Sequence, residues 1–72
     1  MKSLPTKAVI KILENNGFLF LRQRGSHSVY FNPETKSTVI VVSHRKNKIL
    51  PIGTFLALVK QSKLPIQKFK KR

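Results

Sequence analysis

The chain has no cysteine, no tryptophan and no aspartate, and its only acidic residues are Glu14 and Glu34. Without cysteine there is neither a disulfide framework nor a thiolate metal site. Two carboxylates, one on an expected helix and one in an expected hairpin turn, do not build the acidic cluster of a two-metal nuclease. Zinc also lacks ligands, because His27 and His44 are the only histidines and no third or fourth donor accompanies them. A Ser-His-Asp triad fails for want of the aspartate. Glycine is scarce: Gly17, Gly25 and Gly53 stand alone, so there is no glycine-rich nucleotide loop. The longest apolar runs, such as Phe18 to Leu21 and Val39 to Val42, are far too short to span a bilayer, and no apolar signal segment opens the chain. A cytoplasmic protein with no cofactor and no metal is expected.

What the chain does have is positive charge. Fifteen Lys and Arg residues give a formal net charge of +13 at pH 7 in 72 residues. Solubility alone would be served by mixed charge, so the one-signed excess points to a polyanionic partner, either nucleic acid or an acidic protein. No membrane partner is expected, since no segment joins a basic face to a continuous apolar one. The length allows one small domain with one thin core. Its 40% apolar content, including Phe18, Phe20, Tyr30, Phe31, Phe55 and Phe69, suffices to fold it.

Val9, Ile12 and Leu13 recur at helical spacing after Pro5, and Gly17 stands where a helix ends, which predicts helix one over about 5–16. Residues 18–23 then read as a strand, 24–26 as a turn and 28–32 as a second strand; Asn32 to Lys36 form a polar connection and 37–42 a third strand. A polar loop over 43–48 leads to Pro51, a helix start, with Ile52, Phe55, Leu56 and Val59 as the apolar stripe of a second helix ending near Lys63. The predicted fold class is α+β, in the order α-β-β-β-α, with a three-stranded antiparallel sheet and both helices on one face. Each strand has apolar residues on both faces, so the uncovered face is partly apolar and suggests a partner. The basic tail, 65–72, can dock through Phe69 or fray as solvated lysines.

The candidate site is Arg22-Gln23-Arg24-Gly25-Ser26-His27. Two arginines supply charge for phosphate, Gly25 permits a tight turn, and His27 can take and return a proton near neutral pH. Strand alternation places Arg22 and Arg24 on one face with Phe18 and Phe20. His44, Arg45, Lys46 and Lys48 add further phosphate-contacting candidates before the second helix, whose N-terminal amides also attract anions. Chemistry that uses no metal and centres on one histidine suits RNA, because the 2′-hydroxyl is an internal nucleophile beside the phosphorus. On composition alone, a strand-edge histidine bonded to backbone explains His27 equally well.

Leu13 with Gly17-Phe18 closing helix one, Arg22-Gln23 followed by Gly25-Ser26-His27, a strand leading to His44, and Gly53-Thr54 opening helix two succeed one another over nearly the whole chain. In that order and at that length the sequence resembles the HicA family of bacterial toxin ribonucleases. The resemblance implies a double-stranded-RNA-binding-domain-like fold and a single HicA-like ribonuclease toxin domain over 1–72. It further implies cleavage of messenger RNA through His27, with Gly25 and Ser26 shaping its turn. A HicB-type antitoxin is the implied protein partner, and operator DNA is reached only indirectly through the antitoxin complex. One departure is Ser43, where the family often has proline before the histidine. The alternative is a non-catalytic RNA-binding module, ribosome-associated or specific for duplex RNA. Such a module sets lysines at the start of its second helix, where this chain has the apolar run Thr54 to Val59.

Overall fold

Val9 and Leu13, one helical turn apart, are fully buried on one side of α1, Thr6–Asn15, in the computed structural model, which describes residues 3–42 and 48–70. Pro5 precedes the first turn, and its carbonyl accepts the amides of Ala8 and Val9 at 3.0 and 3.1 Å. At the other end Asn16 donates through its side-chain amide to the Ile12 carbonyl, 2.8 Å away. Gly17 then turns the chain with a φ of +94°, and a Cβ there would meet the side chain of Asn32 at 3.4 Å. Glycine is therefore needed for conformation, whereas the 3.4 Å approach is an ordinary contact.

Three strands follow: β1 (Leu19–Arg24), β2 (His27–Asn32) and β3 (Ser37–Val42), antiparallel and in the spatial order β1-β2-β3. Ser28, Tyr30 and Asn32 on β2 are buried, as are Ser37, Val39 and Val41 on β3, so a single face of the sheet meets the core. Both α1 and α2 (Ile52–Ser62) cover that face, in the two-layer α+β arrangement of a double-stranded-RNA-binding domain. Phe18, Val39 and Val41 interlock with Val9, Leu13, Phe55 and Leu58 between the layers. Asn32 is a buried polar exception, and its hydrogen bonds explain it. Its amide donates to the Asn16 carbonyl at 3.2 Å, and its oxygen accepts the Glu34 amide at 2.9 Å, joining the end of α1 to the β2–β3 turn.

The buried stripe of α2 is Phe55, Leu58, Val59 and Ser62, whereas Ile52 and Leu56 face solvent. The expected stripe was therefore rotated, because apolar residues run almost all round this helix and the i, i+3, i+4, i+7 pattern starts one turn later. Ser62 tolerates its buried place because its hydroxyl donates to the Val59 carbonyl at 2.6 Å and accepts the Leu64 amide at 3.1 Å. Lys63 closes the helix in the left-handed conformation, with a φ of 61°.

Of the two readings of the tail, the structure has the docked one. Ile66–Phe69 form a single 3₁₀ turn, η1, packed on α1, and Phe69 is only 1% exposed. Its ring meets that of Phe55 edge-on, with centroids 6.0 Å apart. Before α2, the Leu50 amide donates to the Leu4 carbonyl at 3.0 Å and the Thr6 amide to the Lys48 carbonyl at 3.3 Å. These bonds hold the approaches to both helices side by side. His44, Arg45 and Lys46, with the rest of 43–47, lie outside the described residues.

Candidate nucleic-acid interface

Every residue of β1 is exposed, which no alternating strand on a half-buried sheet would show by pattern alone. β1 is an edge strand, and it also carries a bulge. Leu19 pairs with Phe31 and Phe20 with Tyr30, but Arg22, not Leu21, pairs with Val29, and Arg24 pairs with His27. Leu21 is the extra residue, and it reverses the side-chain alternation of everything after it. Phe20 stays on the helix-bearing face, where its ring lies edge-on to Tyr30 at 5.7 Å. Arg22 and Arg24 pass to the opposite, open face. This corrects the expected grouping of both arginines with Phe18 and Phe20.

Residues directly across an antiparallel ladder share a face, so the pairings define rows. On the open face one row runs Arg24, His27, Val42; the next Arg22, Val29, Ile40; the third Leu19, Phe31, Thr38. The two-residue turn sets Arg24 opposite His27 and Arg22 one row on, and the bulge parts both arginines from Phe18 and Phe20, which keep to the covered face. Gly25 and Ser26 form the two-residue turn between Arg24 and His27, and Gly25 has a φ of +60°, as a type II′ hairpin requires at its first position. The Gln23 amide braces the turn by donating to the Gly25 carbonyl at 2.9 Å. His27 is exposed as the first residue of β2, and among the described residues nothing hydrogen-bonds its imidazole.

Val42, beside His27, also lines a cleft with Thr6, Lys48, Ile49, Leu50, Pro51 and Thr54. Lys48 is exposed there, near the start of α2, so it borders the histidine's end of the sheet by way of Val42. His44, Arg45 and Lys46 are outside the described residues. Glu34 sits in the turn at the opposite end of β2, about 17 Å along the strand from His27 by its residue rise. Glu14 lies on α1, on the covered side, where its charge adds to burial in pushing the Tyr30 phenol up. Neither carboxylate lies on the open face with the arginines.

The family model of the HicA toxin of bacterial toxin-antitoxin systems matches residues 6–64. The chain belongs to the HicA toxin family. It is therefore the toxin component of such a system, and an antitoxin is its partner. No curated protein matches the chain. The family match ends at Leu64, before η1, so the turn that buries Phe69 in this HicA-family toxin lies beyond the shared region. Among the described residues no helix is long and apolar enough to cross a membrane. Sequence reasoning missed Leu21 as the residue at which the alternation of β1 breaks. The four consecutive apolar residues Phe18 to Leu21 carry no alternation from which a bulge could be read.

Proposed function

We propose that this HicA-family toxin is a metal-independent endoribonuclease that cleaves messenger RNA, with His27 as its general acid/base. The observation that carries the reading is the cross-strand pair of Arg24 and His27, with Arg22 in the next row of the same face. RNA brings its own nucleophile to such a site. His27 removes the proton of the 2′-hydroxyl, that oxygen attacks the adjoining phosphorus, and the bond to the 5′-oxygen breaks. The products are a 2′,3′-cyclic phosphate and a 5′-hydroxyl. The proton gained by the leaving oxygen balances the one His27 takes, so the imidazole returns to its starting state.

Arg24 and Arg22 offset the negative charge that develops on the phosphoryl oxygens. Acid-base assistance of this kind is worth about a hundredfold to ten-thousandfold in rate. Gly25 and Ser26 hold the turn that sets His27 opposite Arg24. Lys48, near the start of α2, attracts the substrate backbone, and His44, Arg45 and Lys46 add to that attraction. A HicB-type antitoxin blocks the toxin by covering the open face, and operator DNA is approached only through that complex.

The test is an RNA oligonucleotide carrying a single 2′-deoxy residue at a mapped cleavage position. Cleavage at that position should vanish while cleavage elsewhere continues. Cleavage that ignores the missing hydroxyl contradicts the mechanism, and RNA that is bound but never cut leaves the non-catalytic binding module as the better description.

A further inference from the structure

The open face carries more than the two arginines and the histidine. Leu19 is 60% exposed and Ile40 48%, and with the half-buried Val29 and Phe31 they make an apolar floor beside the Arg22–Arg24 edge. Successive rows are about 6.8 Å apart, so Phe31 lies about 13 Å from His27 along β2. The arginines occupy the edge strand β1, while Val29, Phe31 and Ile40 occupy β2 and β3. A chain whose phosphates followed β1 would set whatever it carries on its inner side over the apolar floor.

We propose that this floor is a base-binding platform: nucleotides next to the cleaved phosphate lay their bases over Val29, Phe31 and Ile40, with one base stacked on the Phe31 ring. The inference rests on the ribonuclease reading of the same face and adds a substrate class to it, single-stranded RNA. In a duplex the bases face one another and cannot lie flat on a sheet, whereas an unpaired base offers both a planar apolar surface and a phosphate to its side. Charge agrees, since the face bears Arg22 and Arg24 while Glu14 and Glu34 lie elsewhere. Size agrees as well. Two row intervals by two strand spacings is on the order of 130 Å², room for a few bases but far below the ~800 Å² that each partner contributes to a stable protein interface. An antitoxin that covers this floor must draw most of its contact from outside it.

The experiment measures binding of the intact protein to a short 2′-O-methyl oligoribonucleotide, which keeps its bases but lacks the nucleophile. A perfectly paired duplex and an abasic phosphodiester strand of the same length serve as comparisons. Phe31→Leu keeps apolar bulk and removes the ring face; it should weaken single-strand binding by about fivefold or more and leave duplex and abasic binding unchanged. Phe31→Trp should restore it. Equal losses on all three ligands would make Phe31 a structural residue, and an unchanged single-strand affinity would remove the bases from this face. A loss confined to antitoxin binding would give the floor to the protein partner. Each of these three results overturns the platform. If no RNA binds the wild type at all, the ribonuclease reading falls and the platform with it.

Discussion

Phe69 lies outside the region that defines the family and yet inside the core. Truncating it to alanine removes a ring that is 1% exposed and pairs edge-on with Phe55 at 6.0 Å. Buried Phe→Ala changes cost ~3–5 kcal/mol, and a lost aromatic pair adds ~0.5–1.5 kcal/mol beyond area, which puts this site toward the upper end. A 72-residue domain holds about 4–11 kcal/mol in total, at the usual stability per residue. For a chain this short each kcal/mol moves the melting point by about 4–8 °C, so Phe69→Ala should lower it by about 15–40 °C. Ile66→Ala, in the same turn but 37% exposed, should change it far less. Thermal melting followed by far-ultraviolet circular dichroism, with the wild-type chain as reference, measures both. A melting point for Phe69→Ala within ~5 °C of wild type, where less than ~1 kcal/mol is at stake, would refute the claim that the tail is part of the core.

Arg22→Ala and Arg24→Ala should each flatten the salt dependence of single-stranded RNA binding by about 0.7 in slope, one phosphate contact apiece. Lys60→Ala on α2 should leave the slope alone, and slopes unchanged in the arginine variants would remove them from the interface. Gly25→Ala should cost about 1–2 kcal/mol through the positive φ alone, since a Cβ there meets nothing within 4 Å. D-alanine at the same position of a synthetic chain should recover that loss, and failure to do so would mean that the turn is not the cause. The raised Tyr30 phenol, caused first by burial and then by Glu14, stabilises the fold below its ordinary pKa of 10.0 and loses that contribution as pH rises through the higher folded value. In alkaline melts Tyr30→Phe should therefore lose less stability than wild type; parallel curves would contradict the assignment.

The order of elements was legible because Pro5, Gly17, Gly25, Pro33 and Pro51 punctuate the chain where the structure turns. The third strand even begins and ends where its Ser-Thr-Val-Ile-Val-Val run does. His27 was legible as chemistry but not as geometry. Its partnership with Arg24 is set by the two-residue turn, but the separation of both arginines from Phe18 and Phe20 depends on one surplus residue, and the run Phe18 to Leu21 is apolar at every position, so pattern could not say where the alternation breaks. The α2 stripe failed for a similar reason, because Ile52 and Leu56 are as apolar as the residues that are buried. The tail misleads through composition: Lys68 and Lys70 flank Phe69 and suggest a solvated end, whereas the lysines extend outward and only the ring enters the core. A one-residue register change and a single buried ring are tertiary facts, decided by what packs opposite.

The central claim is that His27 performs RNA cleavage without a metal. Purified wild type and His27→Ala, both shown to be folded, should be incubated with the same RNA in excess EDTA and the products resolved by length. The account predicts that wild type cleaves, and that His27→Ala is slower by about a hundredfold to ten-thousandfold. Wild-type cleavage that stops in EDTA, or a His27→Ala variant that cleaves at the wild-type rate, would contradict it.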